Sequence, residues 1–507
     1  MQYVDRILNG ITMYRLMLYC LILLFCIAII FSILKIIPYN SLDILAEGLY
    51  LISLCFVANQ ILARIFKVRP NFESQFITGI ILALIIGPLP LQSNLFFLTV
   101  APTVAMASKY LINYQKQHIF NPAAFAVVIT AILFLNGASW WIGNLPMFPF
   151  IALAGLLILR KINRFNMVFS FLITYFLFIV AENIQSILIY SSFLTIMKNV
   201  FIFSPLLFFS IIMLTEPITS PADKKLRIYY GIFTALVFIF LQKLIPVSFT
   251  LELSLLIANL GGRIIRFNTK YILILKEKNK IAPSIWKFIF EPQKPFQYIA
   301  GQFIEWSLPH INSDSRGTRR YFTISSSPSE KDIILTVRIP EDPSSFKTAL
   351  KKLPIRESIY ATSLEGDFIL PENQDRKLIF IAGGIGITPF RSIIKYLLDK
   401  KDKRDIVLFY ACSDASEFAY DEIFKQAEKE LNLKYIPILS QKAEIPQRWN
   451  GKVGHITKEM IKDEVPDYKE RFFYISGPLK MVDGYKKLLL DMGVSKKNII
   501  TDYFPGY

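Results

Sequence analysis

The segment RRYFTISSSP, residues 319–328, concentrates groups suited to holding a redox cofactor. Arg320 supplies a permanent cation, Tyr321 and Phe322 supply aromatic faces, and Thr323, Ser325 and Ser326 supply hydroxyls. A flat, partly apolar ring with an anionic phosphate tail asks for that set: an aromatic face, hydroxyls at the ring edge and a fixed cation at the phosphate. A flavin nucleotide has this shape. Taken alone, the segment reads equally well as an exposed strand with a basic turn, so its meaning depends on what surrounds it.

Downstream, LIFIAGGIGITPFRSIIKYLL reads as an apolar strand, a glycine turn and an amphipathic helix. Gly383, Gly384 and Gly386 would let a phosphate-bearing ligand approach the backbone, and the helix start at Thr388 and Pro389 would face it with amide donors. DIVLFYACSD, LKYIPILS and FFYISGPLKMVDGYKKLL repeat the strand pattern, the last with a second turn at Gly477 and Pro478. Such units in series predict a parallel sheet with a ligand crevice at the strand ends. Upstream, KYILILKEKNK, WKFIFEP and GQFIEWSL read as short strands of a six-stranded antiparallel barrel. Ser344 to Lys347 opens a short helix whose start suits a phosphate, which adds Ser345 to the candidates. Phe504 and Tyr507, in the terminal YFPGY, either cover the ring or pack the last strand.

The chain has 507 residues, 53% of them hydrophobic, which is too long for one ordinary domain and too apolar for a wholly soluble one. Long apolar runs fill the sequence up to about Gly262, and charges recur every few positions from Arg263 onward. The expected domains are 1–265, helical and membrane-spanning; 266–372, the flavin barrel; and 373–507, the nucleotide-binding α/β domain. Candidate spans near 13–37, 43–63, 73–90, 94–112, 119–136, 143–160, 165–182, 198–215, 227–245 and 248–264 number about ten. Basic residues gather at alternate connections: Arg6 and Arg15; Arg64, Lys67 and Arg69; Lys109 and Lys116; Arg160, Lys161 and Arg164; Lys224, Lys225 and Arg227; Arg263, Arg266 and Lys270. The opposite connections carry only Lys35, Lys198 and Lys243, which predicts a multi-pass protein of the cytoplasmic membrane with both termini and the soluble half in the cytoplasm. The same rule accounts for much of the net charge of +17 without nucleic acid as a partner.

Four scattered cysteines exclude a plant-type iron–sulfur cluster, no metal site is expected, and a single membrane-half histidine, His118, excludes a haem held by paired histidines. Cys412 reads as a buried structural thiol, with a place in the nucleotide crevice as the alternative. The apolar runs are broken at Thr78-Gly79, at Gly87 to Pro90, at Pro102-Thr103, at Asn121 to Ala124 and at Glu216 to Pro221. Each break singly is an ordinary helix end or kink. Two of them, NPA and EPITSP, at the cytoplasmic ends of spans in different halves, hint at a duplicated bundle with a central site, with Asn121, Glu216 and Thr219 as its polar residues. Trp140 and Trp141 read as an interfacial aromatic belt.

FITGIILALIIGPLP, HIFNPAAFAVV and MLTEPITSPAD resemble the D-type membrane component of the Rnf electron-transport complex and the B-type membrane component of the sodium-translocating NADH:quinone reductase, over about residues 60–265. That resemblance implies a ten-helix protein that passes electrons through the membrane. The family's covalent flavin attachment at a Ser-Gly-Ala-Thr threonine has no clear match; the nearest string is Asn136 to Ser139, so a membrane flavin here, FMN or riboflavin, would be noncovalent. RYFT, GGIGITPF and SGPLKMV, in that order over about residues 266–507, resemble the ferredoxin-NADP reductase family. By that match Phe322 stacks on the flavin ring, Arg320 takes the pyrophosphate of FAD and Thr323 the ring edge, while Ser476 stands where the family carries Cys. Asp414 ends a strand where a 2′-phosphate would want a cation, which favours NADH over NADPH.

The expected function is a membrane flavoprotein oxidoreductase that takes a hydride from NAD(P)H onto FAD and passes electrons to a second flavin or a quinone, with partner subunits as an open possibility. The alternatives are a redox-driven ion transporter, against which the lack of a convincing chain of intramembrane carboxylates argues, and a membrane-anchored reductase for a soluble acceptor.

Overall fold

The computed structural model describes the chain apart from residues 1–7, 9–10, 68–71, 115–116, 191–192, 222, 246, 265–269, 312, 315–317, 441–444, 448 and 505–507. Arg6, Arg69, Lys116, Arg266 and Tyr507 therefore lie outside the described residues. The chain divides into two compact units, Met1–Asn268 and Thr269–Tyr507.

The first unit is helical: α1 (Met13–Ile33), α2 (Ser41–Ile65), α3 (Phe72–Ile86), α4 (Leu91–Leu111), α5 (Pro122–Phe134), α6 (Phe148–Ile162), α7 (Phe165–Glu182), α8 (Ile184–Tyr190), α9 (Phe193–Phe201), α10 (Leu206–Phe208), α11 (Lys224–Leu244) and α12 (Thr250–Ile264). A small hairpin, β1 (Asn113–Tyr114) and β2 (Gln117–His118), joins α4 to α5. Helix starts follow from local chemistry: the side chains of Asn40, Asn121 and Asp223 accept first-turn amides of α2, α5 and α11. Four helices among the described residues, α1, α2, α7 and α11, are long and apolar enough to cross a membrane, or five if α9 and Leu206–Met213, bent by 53°, form one span. Of the ten or so expected spans, these four or five meet the length and composition of a crossing among the described residues. The Gly, Pro and Asn breaks cut the apolar runs, leaving α3 at 15 residues and α5 at 13, short of the ~20 a bilayer asks for.

Two of those breaks meet. Asn259 on α12 accepts the Asn121 amide at 2.9 Å and donates to the Tyr230 hydroxyl at 2.6 Å, while Asn121 Nδ2 reaches the Met213 carbonyl at 3.4 Å. Beside them His118 Nε2 contacts Glu216 Oε1 at 2.9 Å, and Thr219 donates to the other Glu216 oxygen at 3.2 Å. Arg164 and Arg227, both buried, bond the Pro221 carbonyl. Irregular backbone inside an apolar unit needs internal partners, and these side chains provide them.

The indoles of Trp140 and Trp141 contradict the interfacial-belt reading. Both are buried: Trp140 Nε1 donates to Glu252 Oε1 at 3.0 Å, and Trp141 Nε1 to the Ala83 carbonyl at 3.0 Å. The loop carrying them also places the amides of Ser139 and Trp140 on the Ile85 carbonyl, each at 2.9 Å.

The second unit holds two six-stranded sheets. The first, ordered β6-β5-β8-β3-β4-β7, is antiparallel and curls into a near-closed barrel; its strands are β3 (Tyr271–Lys280), β4 (Ile285–Pro292), β5 (Phe303–Ser307), β6 (Arg319–Thr323), β7 (Ile333–Arg338) and β8 (Ser358–Glu365). Phe288, Phe290, Trp306 and Leu335 fill it, with Phe346 from helix α13 (Ser345–Lys352). The second sheet, ordered β12-β11-β10-β9-β13-β14, is parallel, with β9 (Leu378–Gly383), β10 (Ile406–Cys412), β11 (Leu433–Leu439), β12 (Lys452–Val453), β13 (Phe472–Pro478) and β14 (Ile499–Phe504). Every residue of β9 is buried, as expected of a parallel strand covered on one face by α14 (Thr388–Lys400) and α15 (Asp421–Glu430) and on the other by α16 (Lys458–Glu464) and α17 (Leu479–Asp491).

The entry edge of the parallel sheet is fastened by charge. Arg471 pairs both Asp405 oxygens at 2.7 and 3.0 Å and donates to Asp467 at 2.7 Å, whose other oxygen accepts from Lys377 at 2.7 Å. These groups precede β9, β10 and β13, so one network sets the level of three strands. The Arg471 hydrogen bond, with Lys377 assisting, holds the Asp467 carboxyl down to about 2. A carboxyl depressed on folding stabilises at pH above its ordinary value, and that contribution is lost as pH falls through about 2. Asp467→Asn is therefore expected to lower the melting temperature at pH 6, with the gap to wild type closing as pH approaches 2.5. Thermal melts of the full chain across that range check this; a gap independent of pH defeats it.

Candidate functional site

The parallel sheet runs outward from β9 through β10 and β11 to β12, then returns to β13 on the other side of β9. The strand order reverses there, which makes the crevice beyond the carboxyl ends of β9 and β13 the place for a ligand. Both glycine turns found in the sequence lie at those ends. Gly384 adopts φ +51°, a left-handed conformation favouring glycine, and opens a single 3-10 turn, Gly384–Ile387, that leads into α14. A Cβ on Gly386 would stand 2.3 Å from the Ser476 carbonyl, so the turn after β9 lies directly on the end of β13. Gly383 faces Met481 in the same way, its would-be Cβ 2.2 Å from the sulfur. Pro389 enters the first turn of α14, where a missing amide is harmless, and the Thr388 hydroxyl is spent on the Ile385 carbonyl at 3.2 Å. Gly477 and Pro478 close β13, opposite Tyr503 and Phe504 of β14; the Phe504 side chain lies outside the described side chains.

On the barrel, β6 displays the RRYFT residues with strand alternation. Arg320 and Phe322 lie on one side, half-buried, and Tyr321 is exposed on the other, packed edge-on against Phe303 with ring centroids 5.7 Å apart. The Phe322 ring lies 5.7 Å from that of Phe346, and the Arg320 guanidinium sits 5.5 Å from the Phe346 ring. Cation, aromatic face and the start of α13 thus converge. Ser344 caps α13 by accepting from Lys347, while the Ser345 hydroxyl accepts the Asp314 amide at 2.9 Å and contacts His310 Nε2 at 3.0 Å. Arg320 Nη2 donates to both oxygens of Asp314, at 2.8 and 3.0 Å. Asp314 holds the arginine aimed at the head of α13.

Three hydroxyls stand out. Thr323, Ser325 and Ser476 are buried, and each side-chain oxygen lacks a hydrogen-bond partner among the described residues. Buried hydroxyls are ordinarily satisfied, so three orphans at the two cofactor-type strands fit a bound group that supplies their partners. Ser326 differs: its hydroxyl accepts from the Tyr298 hydroxyl and the Ile334 amide, at 2.9 and 3.0 Å, which makes it a joint within the barrel. Asp414 lies two residues past β10 and caps the next turn by accepting from Ser416, whose amide and hydroxyl hydrogen bonds hold its carboxyl below the usual range.

The structure also brings in residues the sequence reading missed. Asp314 sits in a polar loop with no pattern to distinguish it. Arg391 and Glu330, 61 positions apart, form a largely buried pair, Nη2 to Oε1 at 2.9 Å, that joins α14 to the turn after β6. In the first unit Glu47 and Glu252 are fully buried within apolar helices, each with one oxygen unpartnered among the described residues. A carboxylate inside an apolar run was the available signal.

Residues 380–487 match the family described as the oxidoreductase NAD-binding domain. That match places an oxidoreductase-type NAD-binding domain in the C-terminal half of the chain. The chain is 30% identical over 236 residues to the phenol hydroxylase P5 protein of Acinetobacter pittii, covering 45% of this chain and 64% of that protein. It is 32% identical over 207 residues to the F component of the Na(+)-translocating NADH-quinone reductase of Serratia proteamaculans, covering 37% of this chain and 49% of that protein. The chain thus spans from about half to just under two-thirds of the length of these relatives. Among solved structures, the flavohem-like FAD/NAD binding domain of a Vibrio cholerae nitric oxide dioxygenase aligns with TM-score 0.41 and 21% identity, over 46% of this chain and 98% of that one.

Cys412, at the end of β10, is buried, and burial pushes its thiol up to about 12. It is expected to stay unmodified by N-ethylmaleimide at pH 8 in the native chain and to react once the chain is denatured. Peptide mass analysis reads the outcome, and rapid native labelling would show a thiol open to the crevice.

Proposed function

We propose that this chain is a membrane-bound, NAD(P)H-dependent flavoprotein oxidoreductase in which FAD is held on the barrel and the nicotinamide nucleotide on the parallel sheet. The observation that carries the reading is the orphaned Thr323 and Ser325 hydroxyls, in the same compact unit as a glycine turn at the reversal point of an NAD-binding sheet. A bound flavin supplies acceptance of a two-electron hydride and release of electrons singly. The chain's own residues bind and orient. Arg320 and the head of α13 hold the pyrophosphate, Phe322 covers the ring face, and Thr323, Ser325 and Ser476 donate at the ring and nicotinamide edges. Gly386 admits the nucleotide against β13, and Asp414 just past β10 selects NADH by accepting from a ribose hydroxyl where a 2′-phosphate would be repelled.

From the barrel, electrons pass into the first unit, to a noncovalent flavin or to a quinone. Supporting this are the resemblance of residues 60–265 to electron-carrying membrane proteins and the similarity to one component of an NADH-quinone reductase. In this reading the short helices complete ten crossings, with both termini and the second unit on the cytoplasmic side, and partner subunits are part of the working assembly. A second reading, redox-driven ion transport, is favoured by Glu47 and Glu252, buried carboxylates that the sequence had not marked. Sodium-dependent NADH oxidation in sealed vesicles, abolished by Glu252→Gln, would establish it.

The purified full chain is expected to show a flavin absorption spectrum that NADH bleaches anaerobically, and to release FAD on denaturation. Arg320→Gln should weaken FAD retention about 10- to 100-fold, the worth of a charge-assisted phosphate contact. A chain without bound flavin, or a spectrum indifferent to NADH, would sink the proposal.

A further inference from the structure

The turn that leaves β6, residues 325–330, is tied to one face of α14 by several side-chain bonds. Arg391, Lys395 and Asp399 are four apart and share that face. Arg391 Nη1 donates to the Ser325 carbonyl at 3.0 Å, and the same guanidinium grips both oxygens of Glu330. Glu330 in turn accepts the Ser327 amide at 2.6 Å. Ser392 donates to the Ser326 carbonyl at 2.5 Å, and Ser329 reaches Asp399, which also pairs with Lys395. The Tyr420 ring lies 5.3 Å from the guanidinium, and its hydroxyl bonds Thr336 of β7 at 2.6 Å. Arg391 is buried, and its fork is planar and bidentate, so the connection is stiff as well as strong.

What this joint connects is specific. Ser325 is two residues from Thr323, so its carbonyl moves with the hydroxyls placed at the ring edge. Arg391 is three residues past Thr388, so its Cα moves with the glycine turn that admits the nucleotide. We infer that Arg391, braced by Glu330, is a positioning residue that fixes the separation between the flavin-bearing strand and the nicotinamide-bearing turn, and thereby the rate of hydride transfer. The inference rests on the cofactor assignment proposed above.

A general staple between the two sheets would have a different signature. Other bonds join them independently: Glu417 accepts from the Ser284 amide and hydroxyl at 2.8 and 2.7 Å. Removing the guanidinium leaves these in place, so the sheets stay docked while the registry at the crevice relaxes. Binding of either cofactor depends on contacts within its own sheet. Transfer between them depends on the distance, and a misplacement of ~1 Å costs about 100-fold in rate.

The test uses the full chain with its flavin, in detergent or nanodiscs, and follows anaerobic flavin bleaching by NADH and by its 4-deuterated forms in single turnovers. Arg391→Gln is expected to keep its FAD and to hold half-saturating NADH within about twofold, while the limiting bleaching rate falls about 100-fold and the deuterium isotope effect rises. Arg391→Lys, which keeps the charge without the fork, and Glu330→Gln, which removes the brace, should each fall between that variant and wild type. Should Arg391→Gln not accumulate, these two carry the same expectation. A limiting rate unchanged in all three, or a loss of rate matched by equal loss of FAD and of NADH affinity, overturns the positioning role. A wild-type chain that carries no flavin removes the cofactor assignment, and the positioning role with it.

Discussion

A strand that ends inside a protein leaves carbonyls needing donors, and in the second unit those donors come from one helix. The turn after β6 has its first two carbonyls, from Ser325 and Ser326, satisfied by Arg391 and Ser392 at the start of α14. Helix α14 itself follows the glycine turn at β9, which packs so closely on the end of β13 that a Cβ at Gly386 would meet the Ser476 carbonyl. The barrel and the parallel sheet therefore share an element rather than merely touching. The charged network of Arg471, Asp405, Asp467 and Lys377 secures the other end of the sheet, leaving its carboxyl end free to be shaped for ligands.

What the sequence disclosed and what it withheld follow one physical line. The glycines at 383, 384 and 386, the proline at 389 and the hydrophobic strand between 378 and 383 were legible because their demands are local: a positive φ, a missing amide, burial on both faces. The order of RYFT, GGIGITPF and SGPLKMV was legible for the same reason, since each is a self-contained strand and turn. Asp314, and the pairing of Arg391 with Glu330, were not, because a charged residue in a loop or on a helix looks alike whether it meets solvent or a partner 61 positions away. Ser326 stands among the same hydroxyls in sequence, yet past the end of β6 the chain bends and its hydroxyl meets that of Tyr298.

The first unit shows the converse. Counting apolar length suggested about ten full crossings, and the structure returns four that meet the length and composition of a span, or five with the bent pair. The difference lies in the breaks, which sequence reading treated mostly as helix ends. They are instead where the unit makes its internal polar contacts. The NPA and EPITSP breaks approach through His118 on Glu216 and Asn121 on the Met213 carbonyl, and the Trp140 and Trp141 loop turns inward onto α3 and α12 instead of outward to an interface.

The meeting of Trp140 with Glu252 has a further consequence. Holding a protein to a bilayer takes nothing more than apolar length, and a carboxylate sealed among helices works against that task, because it must be taken out of water and given an indole to lean on. Glu252 sits there with one oxygen unengaged among the described residues, a cost that apolar length alone does not call for.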